Sequence, residues 1–264
     1  DLEGQIEAAQ MSKLEALDNL EQEILVLVPI PESATYKLRM LFGTDNQGRS
    51  IFLRAVFSIK TAVQIGFVTA LISVVLGGLL GAAAGYFGGE IAHAVVWLYS
   101  TISALPYLIW LIVIAFVVRE ISTPQDWPIF AGVPLGQPLI PVYIAFVLTF
   151  WIGPCRVVRG EAMKIKTLDY IQSARSIGAS PKRILLKHVV PNTAYLLFIN
   201  MSLLFVGAIK AEVILSFLGL GVQGLPSWGI MIRDAKDEVI NGFFWQIGAA
   251  TAFMFVLVLA FNIV

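Results

Sequence analysis

Side chains capable of chemistry are scarce in this sequence. The 264 residues include two histidines, His93 and His188, and one cysteine, Cys155. No Cys and His pair has the spacing of a zinc site, and no Gly-x-x-x-x-Gly-Lys-Ser/Thr phosphate loop occurs. The sequence therefore predicts no catalytic residue, no metal site and no ATP site in this chain.

Two charged residues stand out because they lie inside an apolar stretch. Lys210 and Glu212 fall near the end of residues 193–217, which are otherwise suited to crossing a bilayer. Charges at membrane depth are costly and by default indicate a function. Such side chains can also reach a headgroup or pair with a neighbour. We interpret both as anchoring residues ahead of substrate contacts in a pathway, and the second interpretation stays open.

The whole chain has the composition of a membrane protein. It is 58% hydrophobic and 14% charged, whereas soluble domains are about half apolar and a quarter charged. The runs are continuous, unlike the alternating strands of a membrane barrel. The sequence therefore predicts an all-α, polytopic transmembrane bundle. Five runs approach or exceed the roughly 20 residues of a spanning helix, at 61–85, 95–118, 138–155, 193–217 and 243–264.

The chain divides into an N-terminal segment, 1–60, and a transmembrane domain, 61–264. Apolar residues at helical spacing predict an amphipathic helix outside the bilayer at 1–24, and Pro and Gly predict irregular chain at 29–60. The sequence has no initiator Met and stops inside an apolar run. We expect five visible spans, with a sixth missing before Asp1.

Small residues recur at every fourth position of the first predicted span. They share one helix face, which lets a second helix backbone approach closely in lipid. We interpret this face as a packing surface rather than a ligand site. Its members are Thr69, Ser73, Gly77, Gly81 and Gly85.

The charge distribution predicts which connections lie inside the cell. Residues 156–192 hold eight basic residues against two acids, Glu161 and Asp169. Cytoplasmic loops of modest length carry such an excess of Lys and Arg. By alternation, 86–94 is also inside, whereas 119–137, 218–242 and the first 60 residues are outside.

The loop at 156–192 is too polar to cross the membrane and too regular to be a flexible linker. We predict a helix at about 161–177, ended by Gly178 in a left-handed conformation. Ser180 and Pro181 suit the start of a second helix, whose apolar side is Ile184, Leu185 and Val189. Such a rigid element can transmit the motion of a soluble partner. Composition alone leaves open a second interpretation, basic residues resting on anionic headgroups.

This loop resembles the signature loop of permeases from bacterial ATP-driven, binding-protein-dependent importers. In that family a Glu-Ala-Ala triplet precedes a Gly and, thirteen residues later, a Pro. Gln172-Ser173-Ala174, Gly178 and Pro191 occupy those positions here, with Gln and Ser replacing Glu and Ala. His188-Val189-Val190-Pro191-Asn192 is similar to the loop ending of the dipeptide, oligopeptide and nickel branch. Three further segments resemble the same branch, at 43–49, 84–89 and 215–229.

The resemblance is closest to the second of the two permeases in these systems, and it implies a type I importer fold. It also implies a homologous partner permease, two ATPase subunits that bind ATP and Mg, an external substrate-binding protein and the bacterial inner membrane. No nucleic acid is implied. The ATPase-coupling residues would be Asp169, Gln172, Ala174, Arg175, Gly178, Ala179, Ser180, Pro181, Arg183, Ile184 and Pro191.

The resemblance favours peptides as substrates, with nickel and other small solutes as alternatives. An interfacial membrane enzyme would need convergent His, Asp, Glu or Ser groups, which the predicted spans do not supply. A third class of function, after the importer and the membrane enzyme, is a channel or receptor without an energy source. Co-purification with an ATPase separates it from an importer.

Overall fold

The computed structural model describes residues 43–121 and 139–263. The predicted helix at 1–24, the segment 29–42 and nearly all of the connection 119–137 lie outside the described residues. Within the described part the chain is helical, apart from turns and one isolated antiparallel bridge between Thr44 and Ser50. The helices are α1 (Ile51–Phe87), α2 (Gly89–Ser103), α3 (Tyr107–Ile121), α4 (Ile140–Phe150), α5 (Ile152–Ile165), α6 (Asp169–Ser176), α7 (Pro181–Ile184), α8 (Val190–Asn192), α9 (Ala194–Phe217), α10 (Trp228–Asp234), α11 (Lys236–Ile240) and α12 (Trp245–Ile263).

The first helix begins earlier than the sequence predicts. Irregular chain was expected to residue 60, but α1 starts at Ile51 because the Ser50 hydroxyl caps the backbone N–H of Leu53. The predicted span 61–85 ends two residues before the helix does: Gly88 and Gly89 have φ of 68° and 51°, and α1 stops at Phe87. At 37 residues, α1 is about 55 Å long and exceeds the thickness of a bilayer core.

The predicted multi-pass helical bundle is confirmed. Among the described residues, four helical stretches are long and apolar enough to cross a membrane: α1, α4 with α5, α9 and α12. The predicted span 95–118 is not one straight helix. It is divided between α2 and α3, which are bent by 93°, and the break contains Pro106, which has no N–H to continue a helix. The predicted span 138–155 also continues to Ile165, because α5 follows α4 across Trp151.

Helix α1 is the centre of the bundle. It packs most extensively against α5 and then α9, and it also contacts α4, α12 and α2. Three apolar clusters follow its length. The cluster at its beginning includes Ala55 and Trp228, the middle one includes Ile65 and Phe146, and the one at its end includes Ala82. The end of α1 therefore forms one core with the loop that follows α5.

Candidate functional site

The loop after α5 forms an elbow, defined here as residues 166–192, with α6 on one arm and α7, a π-helical turn (Leu185–Val189) and α8 on the other. The single helix predicted at 161–177 is wrong, because the chain breaks at 166–168. The Thr167 hydroxyl donates to the carbonyl of Lys164, and Leu168 adopts an extended backbone with ψ of 146°. Asp169 then lies in the first turn of α6, where an acidic side chain favours the helix dipole.

The corner of the elbow is a glycine turn, as the sequence predicts. Gly178 has φ of 83°, and its N–H donates to the Arg175 carbonyl at 2.9 Å. The N–H of Ala179 donates to the Ala174 carbonyl at 3.0 Å. These two bonds form a Schellman motif, which satisfies carbonyls at the end of α6. These hydrogen bonds fix the geometry of the turn, so the corner is not a flexible joint.

The second arm begins as predicted but continues differently. Ser180 is extended and Pro181 is the first helical residue, although the Ser180 side chain makes no capping bond. The arm then widens into the π turn, in which the Val190 N–H donates to the Leu185 carbonyl. Because Pro191 has no N–H, it cannot bond the carbonyl four residues earlier, and the wider turn falls directly before it. The predicted regular helix therefore becomes three short pieces.

One side of the elbow is fixed to the bundle. Ile171, Ile184 and Val189 are fully buried and pack in one cluster with Ala82 of α1 and Val158 of α5. The Arg175 guanidinium lies 5.2 Å from the centre of the Tyr86 ring, and this cation–π contact joins α6 to the end of α1. The elbow is therefore a rigid extension of two long helices.

A polar bridge connects the two arms of the elbow. The Asn192 side-chain amide donates to the Tyr170 hydroxyl at 3.1 Å and to the His188 carbonyl at 2.6 Å. The centres of the Tyr170 and His188 rings lie 6.2 Å apart, with the rings tilted by 56°. His188 thus lies at a contact between arms. Within the described ranges, no three His, Cys, Asp or Glu side chains are grouped to hold a metal ion.

The other side of the elbow faces away from the bundle. Ile177, at the corner, has 85% of its surface exposed. Beside it, Asp169, Gln172, Ser173 and Ser176 line a shallow cleft. Gln172, which replaces the family's Glu, donates its side-chain amide to the Thr167 carbonyl at 3.0 Å. The outward surface therefore has a cleft lined by polar residues with Ile177 at its rim, and Leu168 and Leu186 are further exposed apolar side chains of the elbow.

The structure brings the predicted coupling residues together on this one elbow. Ile184 is buried, and Ala174 and Ala179 are half-buried against the cluster. The exposed members are Asp169, Gln172, Arg175, Gly178, Ser180, Pro181, Arg183 and Pro191.

The predicted small-residue face of α1 lies against α5. A Cβ atom at Gly77 would overlap the Trp151 carbonyl oxygen, and one at Gly81 would overlap the Cys155 carbonyl oxygen. At Gly85 it would lie 2.6 Å from Ala162. Ser73 is also buried on this face. Backbone-to-backbone contact along this line accounts for the absence of side chains at these positions.

Glu212 and Lys210 lie on different faces of α9. Glu212 is buried, and its Oε1 accepts hydrogen bonds from the hydroxyls of Ser216 at 2.6 Å and Ser227 at 2.7 Å. Ser216 in turn accepts from the Val222 N–H. Glu212 therefore ties the end of α9 to the following loop and to the start of α10. Lys210 is exposed.

A cluster of charges at the start of α1 was not predicted from the sequence, which indicated only a turn at 43–48. The buried Asp45 carboxylate accepts from the Gln47 and Arg49 N–H groups and from both Arg49 and Arg54 side chains. Arg54 also donates to Asp234 of α10 at 2.9 Å. Burial alone would raise the pKa of Asp45, but hydrogen bonds and the positive charge of Arg49 outweigh it, so this pKa lies below its ordinary value. The sequence signal for this cluster was the position of Asp45, four residues before Arg49.

Comparisons with known proteins show the family of the chain. Residues 73–264 match the family described as "Binding-protein-dependent transport system inner membrane component". The chain is 33% identical to the dipeptide transport system permease protein DppC of Bacillus subtilis, over 84% of this chain and 64% of that protein. It is 30% identical to the oligopeptide permease OppC of the same organism, over 84% and 68%. It therefore spans less than two thirds of the dipeptide permease.

Two solved structures share the fold at low sequence identity. One is the MetNI methionine ABC transporter in inward-facing conformations, with a TM-score of 0.62, 14% identity and coverage of 81% of this chain and 93% of that chain. The other is an amino acid ABC transporter, with a TM-score of 0.53, 15% identity and coverage of 80% and 90%. At these identities the likeness concerns the arrangement of helices.

Proposed function

Because the chain belongs to the family of binding-protein-dependent transport system inner membrane components, we propose that it is a permease subunit of an ATP-driven importer of dipeptides or oligopeptides. The names of its relatives support the peptide substrate: a dipeptide permease at 33% identity and an oligopeptide permease at 30%. Relatives in Brucella are also described as putative peptide transport permeases. The complex contains a second, homologous permease, two ATPases that bind ATP and Mg, and an external substrate-binding protein in a bacterial inner membrane.

The elbow at 166–192 is the observation that carries this proposal. Its inner side shares a core with α1 and α5, and its second arm leads directly into α9. A force applied to the corner therefore moves helices at the centre of the bundle together. A flexible loop would absorb the same force without moving them.

The outward side of the elbow supports a protein partner. Ile177 is 85% exposed, and it borders a polar cleft formed by Asp169, Gln172, Ser173 and Ser176. A large apolar side chain at the rim of a polar cleft is suited to inserting into a groove of a soluble subunit. We place this side in the cytoplasm, in contact with an ATPase.

The transport step follows from this contact. ATP binding and hydrolysis on the partner subunits change the position of the docked corner. The rigid connection to α1, α5 and α9 converts that shift into a change in the tilt of these helices. The path between the two permeases then opens to one side of the membrane at a time, and the peptide leaves the binding protein for the cytoplasm.

Substitution of the exposed corner residue tests the proposal in the complete transporter reconstituted in proteoliposomes. Ile177→Glu places a charge in the groove contact, and we expect peptide uptake and peptide-stimulated ATP hydrolysis to fall about tenfold, as for a hot-spot residue worth at least 1.4 kcal/mol. The matched control is Ile240→Glu, because Ile240 is 76% exposed on α11, and it should leave both activities unchanged. Normal uptake by the Ile177→Glu transporter would contradict the proposal.

A further inference from the structure

Lys210 lies at membrane depth in α9. The helix has 24 residues and is about 36 Å long, and Lys210 precedes its end at Phe217 by about 10 Å. A hydrocarbon core of about 30 Å centred on this helix encloses that position. Lys210 is exposed, and it has no hydrogen bond or ion pair to any residue in the described ranges.

The described residues leave the side of α9 that carries Lys210 exposed. At about 100° per residue, Lys210 is roughly 160° around the helix from Glu212, whose side packs against α1 and α10. On the Lys210 side, Leu203 is 65% exposed. A Cβ atom added to Gly207, one turn away, would meet nothing within 4 Å. Lys210, Leu203 and Gly207 therefore share a side of α9 against which no described residue packs closely.

Lipid is a poor environment for this side chain. An ammonium group facing hydrocarbon is strongly unfavourable, and intramembrane charges almost always face a bundle interior or a water-filled cavity. The nearer membrane surface lies toward the end of α9, whereas the Cα–Cβ bonds of a helix tilt toward its beginning. The side chain therefore leaves the backbone in the direction away from that surface. Glu212 cannot neutralise it, since that carboxylate is buried on the opposite face with two serine hydroxyls.

We propose that the Lys210 side of α9 lines the water-filled path of the importer, and that its ammonium group binds a carboxylate of the peptide in transit. The inference rests on the proposed peptide import. A peptide presents a free C-terminal carboxylate whatever its sequence, and a single Lys supplies a compact, sequence-independent partner for it. The neighbouring Leu203, Ile214 and Phe217 form an apolar wall that accepts varied side chains.

A fixed acidic partner on the second permease is the alternative to a passing ligand. An acidic residue paired permanently with Lys210 would hold the two subunits together. A transient ligand leaves the assembly of the subunits independent of the lysine. The two possibilities differ in what happens to the assembly when the lysine is removed.

The test uses the complete transporter in proteoliposomes with a radiolabelled dipeptide. We expect Lys210→Met and Lys210→Cys to reduce uptake about tenfold, as for the loss of a charge-assisted hydrogen bond, and Lys210→Arg to retain most of it. Lys236→Met, at an exposed lysine of α11, is the matched control and should be unaffected. The second permease and the ATPases should remain bound in every variant.

Chemical rescue of the Lys210→Cys transporter distinguishes charge from structure. Aminoethyl methanethiosulfonate restores an ammonium group at the introduced thiol and should restore uptake, whereas the sulfonatoethyl reagent should not. The dipeptide should slow both reactions during turnover. The native Cys155 is buried, so the unsubstituted transporter gives the background level of thiol modification.

Three results would overturn this assignment: full uptake by the Lys210→Met transporter, release of the second permease in that variant, or an introduced thiol no more reactive than the background. A failure of the proposed peptide import can be told apart from a failure of the Lys210 assignment. In the first case the unsubstituted transporter would not take up the dipeptide at all.

Discussion

Asp45 is the most densely hydrogen-bonded carboxylate in the described part of the chain. Its Oδ1 accepts from the backbone N–H of Gln47 at 3.0 Å and of Arg49 at 2.8 Å. Its Oδ2 accepts from Arg49 Nε at 2.8 Å and from Arg54 Nη1 at 2.6 Å. Both arginines also reach Asp234 of α10. One carboxylate thus shapes the turn before α1 and orients the two arginines that connect this turn to α10.

This arrangement makes the stability of the packing at the start of α1 dependent on pH. The pKa of Asp45 is lowered in the folded chain, so the stability it contributes is present above the ordinary value of 3.8 and is lost as the pH falls below it. We expect Asp45→Asn to lower stability at pH 7 by roughly 2 kcal/mol, the value of a hydrogen bond to a charged group. The difference from the unsubstituted protein should close as the pH falls below 3.8. Melting temperatures of the purified transporter between pH 7 and pH 3 measure this.

Asp237→Asn is the control for the same series, because Asp237 is an exposed acid on α11. Its melting temperature should follow that of the unsubstituted protein at every pH. A constant difference between Asp45→Asn and the unsubstituted protein across the whole range would show that the effect is not carried by ionisation of this carboxylate.

Glu212 and Asp45 show what a sequence can and cannot predict at the scale of single residues. Glu212 was identified because a charge in an apolar run is unusual. Its partner Ser227 lies fifteen residues further along, beyond a loop whose path depends on tertiary packing. Asp45 was missed as a structural centre for the same reason, since its link to Asp234 spans most of the chain. Local spacing can indicate that a residue is important. It rarely identifies the distant residues that this residue contacts.

The contact between α1 and α5 is the main interaction between elements. Gly77, Gly81 and Gly85 let the backbone of α5 approach to van der Waals distance. Such packing is the principal source of helix association in lipid, where burial of apolar area between helices gives little. The elbow depends on this contact, because its core is built on the ends of these two helices.

Alanine substitutions in the two facing helices should have opposite effects. Gly81→Ala places a Cβ atom on the Cys155 carbonyl oxygen, and we expect it to lower stability by about 1–3 kcal/mol through overpacking. Gly160→Ala in α5 meets nothing within 4 Å, and it should be neutral or stabilising by about 0.5–1 kcal/mol, since alanine favours helix. Thermal denaturation in detergent compares the two. Equal melting temperatures would mean that α1 and α5 are not in backbone contact at Gly81.

Periodicity predicted the elements better than their interruptions. The four-residue repeat of small residues gave the packing face of α1, and continuous apolar runs gave the spans. The bend at Pro106 and the break at Thr167 were missed. A proline can kink a span or end it, and a threonine can bond its own helix or disrupt it, so tertiary contacts decide between these outcomes. The π turn before Pro191 is another helix interruption that the sequence did not predict.

At the scale of the whole molecule, α1 connects two structured ends. Its beginning is tied to α10 by Arg54 and by the Trp228 indole, which donates to the Ala55 carbonyl at 3.0 Å. Its end carries Tyr86 beneath Arg175 of the elbow. The family resemblance predicted from 43–49, 84–89, 172–192 and 215–229 is confirmed by the match over residues 73–264 and by the relatives named as permeases. These segments are the ones that form the two ends.

The two ends should be accessible from opposite sides of the membrane. The elbow lies in the segment with eight basic residues against two acids, which predicts a cytoplasmic position, and α11 lies in a connection predicted to be outside. Ile177 and Ile240 are both highly exposed, at 85% and 76%, and the native Cys155 is buried. An Ile177→Cys thiol should therefore react with a membrane-impermeant maleimide only in inside-out vesicles, and an Ile240→Cys thiol only in right-side-out vesicles. Bound ATPase should protect the first thiol and leave the second unchanged. Labelling of Ile177→Cys from the outside would remove the elbow from contact with any cytoplasmic ATPase, and the sidedness inferred from the basic loop would have to be reversed.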